Sequence, residues 1–523
     1  CSGVTAPARV EIAQGATLDA AALAKRVDLS YSDGSKATRP VTWDAASIGA
    51  VDTSKPGTYE VTGTVKQPEY ATPFADERAD PSVFRYDLNG QQKFLMIATE
   101  DIYGGNIDPQ GGAHMPIRIA NSIEDLSDEA IRAGRNVEID LLRRGDTDAE
   151  GRAMTGCFWA PEYHVIGGKL SILFMPCYDG ANGRPDMFTG QASIIQLKKD
   201  AQGRDLDPAV PANWTKAQKV LRSNGGILNP VQTISLDMTY VEDSGQSYYV
   251  WQQLGALFIA KMDPANPTRL TSEPVRILAP EYAWDNVIAE GPNVYARDGK
   301  LYLIYSGSTV GDTYTTGLAL ATAGKNVDLT SPSAWSKLNY PIQKSGVFNG
   351  SWQLGTGHGM WSQDEDDNLL YVFHARTDNN NLSGRDMFVR RVHFAADGLP
   401  IFDMESAEEV APDNRRVTAT VVVTAPAGLE VTGAVSSRCI SGKVTQTVTV
   451  RNAEGFPVTV TAKGPYGTKA FGSLAAGKSA SAAFTTRLGS IPAGMVTVDA
   501  AATVNGKAVT DTVSLPFAAA SCG

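Results

Sequence analysis

The chain has little of the chemistry that most well-known hydrolases and nucleotide-binding enzymes use. Only five of its 523 residues are histidines, and no two of them form an HExxH pattern. The sequence also lacks a GxSxG nucleophile elbow and a GxGxxG turn after a strand. Zinc proteolysis, serine hydrolysis and nucleotide binding therefore lose most of their support, and carboxylates remain as the candidate catalytic groups.

Long apolar runs and an excess of basic residues are also missing. No apolar run approaches the ~20 residues needed to cross a bilayer, so no membrane span is predicted. The formal net charge is −11, from 46 Lys and Arg against 57 Asp and Glu. A nucleic-acid-binding surface needs clustered Lys and Arg, so this balance argues against one. The net negative charge also favours a neutral substrate over a polyanionic one.

The cysteines bear on cellular location and on cross-linking. The chain starts at Cys1 without a visible signal peptide, so we expect a mature form or an excised fragment of a secreted or cell-surface bacterial protein. Cys1 is then either a lipidation site or simply the end of a fragment. Cys439 and Cys522 bracket the C-terminal region, where a disulfide suits a secreted protein. Cys157 and Cys177 flank a hairpin and form either a bridge or two buried thiols.

A chain of this length is too long for one hydrophobic core and predicts two to four domains. Residues 1–70 contain short strand-like runs between Asp-Gly and Pro-Gly turns, which predicts a β-sandwich that resembles a bacterial immunoglobulin-like domain. Residues 404–415 are polar and contain proline, which predicts a linker. Residues 416–523 alternate Thr/Val/Ala runs with Gly, Asn and Pro turns, which predicts a second β-sandwich.

Residues 71–403 contain one supersecondary pattern five times. Each copy has a short lead motif, an apolar run, a turn with Gly, Asp or Asn, and a second apolar run. Such repetition predicts a five-bladed β-propeller, so the whole chain is predicted to be all-β. The inner strands of a propeller start near a common axis, so distant lead residues can meet in one pocket. The five copies are ADPSVFRYDLNGQQKFLMIA (79–98), FWAPEYHVIGGKLSILFMPC (158–177), LDMTYVEDSGQSYYVWQQ (236–253), EGPNVYARDGKLYLIYSG (290–307) and GHGMWSQDEDDNLLYVFHAR (357–376).

Three of the lead motifs carry an acidic residue, namely Asp80, Asp237 and Glu290. Each alone has an ordinary explanation, such as a turn before proline for Asp80 or a satisfied structural carboxylate for Asp237. An unpaired buried carboxylate is costly, however, and the three residues occupy the same place in the repeat. The apolar residues 287–289 should raise the pKa of the Glu290 carboxyl group, which suits a general acid near neutral pH.

Two carboxyl groups that flank a sugar bond are the usual machinery of glycoside hydrolysis. The lead motifs of the chain are ADP (79–81), WAPE (159–162), LD (236–237), EGP (290–292) and GHG (357–359). As an ordered set they resemble glycoside hydrolase family 43, five-bladed propeller enzymes that act on arabinofuranosides and xylosides. The resemblance implies that Asp80 is the general base, that Glu290 is the general acid, and that Asp237 modulates the pKa of Glu290 and holds it in place. It also implies inversion at the anomeric carbon, which needs base and acid ~6.5–9.5 Å apart.

The same resemblance suggests supporting residues. His358 is expected on the propeller axis, ligating a calcium ion or a water beneath the sugar, with a structural polar histidine as the alternative. Calcium prefers oxygen ligands, so His358 would be one ligand at most, and no cofactor is required for the chemistry. Trp159, Glu162 and Arg385 are expected to line the sugar subsite. A core tryptophan and a carboxylate that caps the second blade are the alternatives for Trp159 and Glu162.

We therefore expect a secreted, inverting, exo-acting glycosidase, an α-L-arabinofuranosidase that trims side chains of plant arabinan, arabinoxylan or arabinogalactan. The long polar segments 102–156 and 179–232 would wall the pocket and favour attack at chain ends. β-Xylosidase and exo-galactanase activities are the nearest alternatives, and no residue separates them. A carbohydrate-binding propeller without catalysis and a cell-surface adhesion protein are alternatives of other classes. The expected oligomeric state is a monomer.

Overall fold

The computed structural model describes residues 1–101, 113–179, 185–377, 384–424, 428–504 and 507–523. These residues form two compact units, each assembled from several segments of the chain. The first unit comprises residues 1–6, 24–42 and 63–417, and the second comprises residues 7–23, 43–62 and 418–523. Residues 1–70 thus contribute to both units, and the domain limits given above stay predictions.

The N-terminal region is made of short strands, as its turn residues predict. They are β1 (Gly3–Val4), β2 (Val10–Ala13), β3 (Arg26–Ser30), β4 (Lys36–Trp43) and β5 (Gly57–Val65). In the first unit, β3 pairs in antiparallel fashion with both β1 and β4. The turn between β3 and β4 contains Gly34 at a φ of 87°, a conformation that glycine adopts without steric cost.

Helices are few and short. The α-helices are α1 (Ala45–Gly49), α2 (Asp128–Arg132) and α3 (Ser406–Glu409). Single 3-10 turns occur at Ala20–Ala22, Glu124–Leu126, Met187–Thr189, Pro211–Asn213, Ala283–Asp285, Pro332–Ala334 and Pro412–Asn414. The segment SIEDLSDEAIRAG (122–134) contains the 3-10 turn at Glu124–Leu126 followed by α2. No helix among the described residues has the length and apolarity that a membrane crossing requires.

Five antiparallel sheets of the first unit each contain one of the five repeated segments. The first blade has β6 (Arg78–Leu88), β7 (Gln91–Glu100), β8 (His114–Ala120) and β9 (Ile139–Arg143). The second has β10 (Gly156–Ile166), β11 (Lys169–Asp179), β12 (Pro185–Asp186), β13 (Ser193–Gln196) and β14 (Gln218–Lys219). The third has β15 (Leu236–Asp243), β16 (Gln246–Gln253), β17 (Ala256–Met262) and β18 (Val275–Leu278).

The remaining two blades follow the same order. The fourth has β19 (Ala289–Arg297), β20 (Lys300–Gly307), β21 (Thr315–Thr322) and β22 (Ser336–Lys337). The fifth has β23 (Gly346–Phe348), β24 (Ser351–Gln363), β25 (Leu369–Arg376) and β26 (Asp386–Arg391). A two-stranded sheet of β27 (His393–Phe394) and β28 (Pro400–Ile401) comes after them.

Apolar clusters between neighbouring blades close these sheets into a ring. Successive side chains of a strand point to opposite faces of the sheet. Two consecutive residues of one central strand therefore pack against two different neighbouring blades. Each cluster joins residues from two blades, and the residues named here are no more than 2% exposed. The pairs, in order around the ring, are Leu95 and Phe174, Leu173 and Trp251, Val250 and Leu303, Ile304 and Phe373, and Val372 and Met96. The last pair joins the fifth blade to the first, which confirms the predicted five-bladed propeller.

The second unit contains a β-sandwich built from the Thr/Val/Ala runs. The preceding strand β29 (Arg416–Thr424) pairs in parallel with β2 and is not part of this sandwich. The strands after it are β30 (Val431–Ile440), β31 (Lys443–Asn452), β32 (Val458–Gly464), β33 (Gly467–Leu474), β34 (Ser479–Thr485), β35 (Ser490–Ile491), β36 (Gly494–Val504), β37 (Lys507–Phe517) and β38 (Ala520–Ser521). Sheets β30-β31-β34 and β33-β32-β36-β37 contribute Val448, Val460 and Val498 to one buried core. The all-β class predicted from the sequence is therefore confirmed.

Two pairs of cysteines are bonded. Cys157 and Cys177 form a disulfide at the base of the β10–β11 hairpin, with Cα atoms 5.3 Å apart. Cys439 and Cys522 form the second disulfide across the C-terminal sandwich. Both bridges considered from the sequence are thus present, and Cys1 is the free cysteine.

One motif needs its structural context to be interpreted. Residues 472–479 read GSLAAGKS and have the GxxxxGK[ST] spacing of a phosphate-binding loop. In such a loop the glycine-rich segment joins a strand to a helix. Here the segment joins β33 to β34, and no helix follows. The structure therefore gives no support for nucleotide binding at this motif.

Candidate active site

Each inner strand of the propeller has a β-bulge at its lead motif. Pairing with the second strand shifts between residues 79 and 82, 159 and 162, 236 and 239, 290 and 293, and 357 and 360. Left-handed residues with φ between 44° and 57° lie at or beside these shifts, namely Asp80, Phe158, Asp237, Gly291 and His358. A bulge takes a residue out of the ladder and re-aims its side chain. Non-glycine residues in this conformation cost about 1–3 kcal/mol each, and such strain concentrates at functional sites.

The bulges bring six of the seven predicted site residues to one pocket of about 260 Å³. The three carboxylates at this pocket are buried, with at most 9% of each residue exposed. The pocket is lined by Asp80, Trp159, Leu236, Asp237, Glu290, Val310, His358 and Arg385. Glu162 is the predicted site residue that lies elsewhere.

Asp80 lies beside cationic and hydrogen-bonding groups. Arg385 Nη1 is 3.0 Å from Asp80 Oδ1, and His358 Nδ1 is 3.4 Å from the same oxygen. The backbone N–H of Asp80 donates a hydrogen bond to His374 Nδ1 at 3.1 Å. Burial alone would raise the pKa of Asp80, but Arg385, His358 and His374 together hold it well below its usual value. The Asp80 carboxyl group is therefore ionised at any moderate pH.

Glu290 has the opposite environment. Burial raises the pKa of its carboxyl group to about 7, and the nearby Asp237 carboxylate contributes to the same shift. Asp237 Oδ2 accepts a hydrogen bond from the backbone N–H of Gly291 at 3.0 Å, which places it directly beside Glu290. Burial also raises the pKa of Asp237. One pocket thus contains an ionised carboxylate and a carboxyl group that is protonated near neutral pH, the pairing that separates base from acid.

His358 lies between these carboxylates. Burial would lower the pKa of its imidazole, but Asp80, Asp237 and Glu290 together raise it. Its ring lies against Gly291, where an added Cβ would be 3.1 Å from the ring and where the backbone φ is 57°. The glycine of the EGP motif is therefore required both by the backbone conformation and by the close approach of His358.

Arg385 is shared by two carboxylates. Its Nε and Nη2 atoms each lie 3.0 Å from an oxygen of Asp101, while Nη1 reaches Asp80. This bidentate contact fixes the guanidinium group, and with it the cation beside Asp80. Asp101 also accepts a hydrogen bond from the backbone N–H of Arg385 at 2.8 Å.

Comparison with known families agrees with this arrangement. The sequence model of glycosyl hydrolases family 43 matches residues 70–400, which is more than half of the chain. The chain belongs to glycosyl hydrolases family 43. The model of the bacterial Ig-like domain (group 4) matches residues 5–68.

Curated relatives of this family 43 chain include two extracellular exo-α-(1→5)-L-arabinofuranosidases. The protein from Streptomyces avermitilis is 27% identical over 360 residues, which cover 66% of this chain and 65% of that protein. The protein from Streptomyces chartreusis is 30% identical over 357 residues, covering 64% of this chain and 89% of that protein. The chain thus spans just under two thirds of the length of the Streptomyces avermitilis relative. The crystal structure of an α-L-arabinofuranosidase from Lactobacillus brevis superposes with a TM-score of 0.50 at 26% identity, covering 64% of this chain and 96% of that one.

In this family 43 chain Glu162 does not face the sugar pocket. Its Oε1 atom accepts hydrogen bonds from Thr239 Oγ1 at 2.5 Å and Asn293 Nδ2 at 2.7 Å, and His164 Nε2 lies at 2.5 Å. Glu162 lines a separate cavity of about 290 Å³ with His164 and Asn293. Since Thr239 follows Asp237 and Asn293 follows Glu290, Glu162 joins the two strands that carry these carboxylates.

The resemblance implies a calcium ion at His358. Among residues the structure describes, no group of three or more His, Cys, Asp or Glu side chains could hold a metal ion. Calcium takes about six to eight oxygen ligands, and the raised pKa of His358 favours an imidazolium that cannot ligate a metal. The described side chains around His358 therefore give no support for the calcium ion, which stays a prediction.

Trp159 is the predicted sugar contact with the clearest structural support. It lines the pocket with Leu236, and both side chains pack against a buried cluster that contains the Cys157–Cys177 disulfide. Trp159 therefore has features of both interpretations, because it lines the pocket and also packs against this buried cluster as a core tryptophan would. The disulfide supports the pocket wall from behind.

Sequence analysis missed three buried residues that contact the candidate catalytic groups. They are Asp101, Tyr314 and His374. His374 had a usable signal, because it is a polar residue within the apolar run LLYVFHAR at the end of the fifth repeat. Tyr314 and Asp101 carry no such signal, since both lie outside the lead motifs.

Proposed function

We propose that the chain is an inverting, exo-acting α-L-arabinofuranosidase that releases arabinose from side chains of plant polysaccharides. One observation carries this proposal, namely that Asp80, Asp237 and Glu290 line one pocket in which Arg385 contacts only Asp80 of the three, so that the pKa values of Asp80 and Glu290 shift in opposite directions. The names of the relatives from two Streptomyces species and of the Lactobacillus brevis structure support the same sugar. The acidic net charge of −11 agrees with a neutral glycan as substrate.

In the proposed mechanism Asp80 removes a proton from a water molecule, which attacks the anomeric carbon. Arg385 keeps Asp80 ionised and oriented while the proton transfers. Glu290, protonated near neutral pH, donates its proton to the glycosidic oxygen on the opposite side of the sugar, and the leaving alcohol departs. Asp237 contributes negative charge that favours the protonated form of Glu290. Since water attacks from the face opposite the leaving group, the product has inverted configuration.

The size of the pocket supports attack at chain ends. A cavity of about 260 Å³ is slightly smaller than the roughly 300–1,000 Å³ typical of small-molecule sites, which suits a single sugar unit rather than a long cleft for a polymer. Val310 and Trp159 form part of its wall. The segments 102–156 and 179–232, expected to wall the pocket, lie partly outside the described residues, so their contribution remains a prediction.

A substrate panel tests the proposal directly. The chain should hydrolyse 4-nitrophenyl α-L-arabinofuranoside and α-1,5-linked arabino-oligosaccharides, with free arabinose as the first product. Proton NMR during hydrolysis should show the inverted anomer first. E290Q and D80N should each lower kcat by about 10²–10⁴-fold, while the circular dichroism spectrum of each variant shows that it is folded. Full activity of folded E290Q on arabino-oligosaccharides would contradict the mechanism.

The same panel separates the alternatives. Faster hydrolysis of aryl xylosides or galactosides than of arabinofuranosides would indicate a β-xylosidase or exo-galactanase instead. Binding of oligosaccharides without any hydrolysis would indicate a carbohydrate-binding propeller. We further propose a secreted or cell-surface monomer, in line with the extracellular relatives. Light scattering coupled to size exclusion should give a mass near 55.6 kDa.

A further inference from the structure

Tyr314 has the closest side-chain contact with the proposed general acid. It precedes β21 and is fully buried, and its hydroxyl donates a hydrogen bond to Glu290 Oε1 at 2.8 Å. Burial raises the pKa of the Tyr314 hydroxyl well above its ordinary value, so it remains a donor throughout the working pH range. With Oε1 accepting this bond, the acidic proton of Glu290 is directed to Oε2.

The ring of Tyr314 packs against two residues of the fifth blade. It lies parallel to the His374 ring, with centroids 5.5 Å apart and planes inclined by 2°. It also lies so close to Gly357 that an added Cβ there would be 2.6 Å from Tyr314 Cδ1. The lead motif GHG therefore requires a glycine at 357, and the tyrosine ring is closely packed.

These contacts reach the opposite side of the pocket. His374 accepts the backbone N–H of Asp80, so a single stack of rings connects the acid with the base. Tyr314 also hydrogen bonds with Ser306, whose Oγ accepts the backbone N–H of His358 at 2.6 Å. One side chain from the fourth blade thus connects with the first and the fifth blades.

We propose that Tyr314 is a positioning residue that fixes the orientation of the Glu290 carboxyl group and the oxygen that carries its proton. This inference rests on the proposed function of Glu290 as the general acid. The other charged groups that face Glu290 are Asp237, His358 and Asp80. Tyr314 donates a side-chain hydrogen bond to Glu290. This bond lowers the pKa of the Glu290 carboxyl group, whereas burial and Asp237 raise it.

The variant Y314F tests this role, because it keeps the ring stack and removes only the hydroxyl. For an arabino-oligosaccharide, whose leaving group needs a proton, kcat should fall about 10- to 100-fold with KM little changed. For 2,4-dinitrophenyl α-L-arabinofuranoside, whose leaving group needs no proton, kcat should change less than about threefold. The basic limb of kcat/KM against pH should move to higher pH, since the hydrogen bond that stabilises ionised Glu290 is lost.

A matched control is available in the same propeller. Tyr163 is also buried, and its hydroxyl has no hydrogen-bond partner among the described residues. Y163F should leave both rates and the pH profile unchanged. Equal loss of kcat on the two substrates in Y314F, or an unmoved basic limb, would overturn the inference. A parent chain that hydrolyses no arabinofuranoside, xyloside or galactoside would instead refute the proposed function.

Discussion

Arg385 Nη1 lies 3.0 Å from Asp80 Oδ1, which joins the start of the fifth blade's β26 to the inner strand of the first blade. The same guanidinium group makes two contacts of 3.0 Å with Asp101, which follows β7. The ring of blades is therefore closed at the pocket by charge as well as by the apolar cluster of Met96 and Val372. Arg385 therefore contributes both to the closure of the ring and to the ionisation of the proposed base.

Removal of this arginine should alter the pH profile as well as stability. In R385Q the pKa of Asp80 should rise, because its strongest favourable charge is lost, and the acidic limb of kcat/KM should move to higher pH. Asp101 would also be left as a buried, unpaired carboxylate, which costs about 3–5 kcal/mol. Initial rates across pH and urea unfolding measure the two effects.

A second buried arginine of the propeller provides the control. Arg391 forms an ion pair with Glu409 that is equally buried but does not line the pocket. R391Q should lower the free energy of unfolding by a similar amount and leave the acidic limb in place. If R385Q and R391Q shift the pH profile equally, or not at all, Arg385 has no specific effect on Asp80.

Glu290 should make stability depend on pH. Its folded-state pKa of about 7 lies above the ordinary value of 4.5, so the folded chain binds a proton more tightly than the unfolded chain does. This contribution is complete below pH 4.5 and is lost as pH rises through 7, with a total of about 3 kcal/mol. E290Q should therefore gain stability relative to the parent chain between pH 5 and pH 8.

Urea unfolding of both chains at matched pH values measures this difference. The exposed Glu124, whose side chain is 77% accessible, supplies the control variant E124Q, which is measured across the same range. A difference between E290Q and the parent that does not change with pH would mean that Glu290 ionises normally in the folded state.

The propeller could be predicted from the sequence because the repeated pattern itself shows how the five segments align with one another. The lead motifs of Asp80, Asp237, Glu290 and His358 mark equivalent positions, and the fold brings equivalent positions together. Glu162 lies in the WAPE motif after the register shift of its strand and lines the other cavity, so a sugar contact by Glu162 stays a prediction. A residue such as Tyr314 could not be found, because its role depends on packing against His374 and Gly357 of another blade rather than on a local pattern.

Metal removal tests the expectation attached to His358. The described residues offer no cluster that could hold an ion, and Asp80 and Glu290 account for both proton transfers without one. Incubation with EDTA followed by gel filtration should therefore leave kcat/KM for the aryl arabinofuranoside within about twofold of the untreated value. Metal analysis of the purified chain accompanies this assay. Loss of activity that returns with added calcium would show that an ion contributes and that the donor set described above is incomplete.

Two different roles are expected for Glu162, and one variant distinguishes between them. The resemblance implies a sugar contact, whereas its hydrogen bonds with Thr239 and Asn293 imply that it holds the strands of Asp237 and Glu290 together. E162A removes the acceptor, so these strands should separate slightly and the pKa of Glu290 should fall as Asp237 moves away. The basic limb of kcat/KM should then move to lower pH, with kcat reduced and KM nearly unchanged.

The opposite result would identify a sugar contact. If Glu162 binds the sugar directly, E162A should raise KM and leave the basic limb unmoved, because Asp237 and Glu290 keep their spacing. E162Q helps to distinguish these cases, since its amide oxygen can still accept from Asn293 and should restore much of kcat if the strands are held by that bond. Because Glu162 lies on a different cavity from Asp80 and Glu290, we expect the first result.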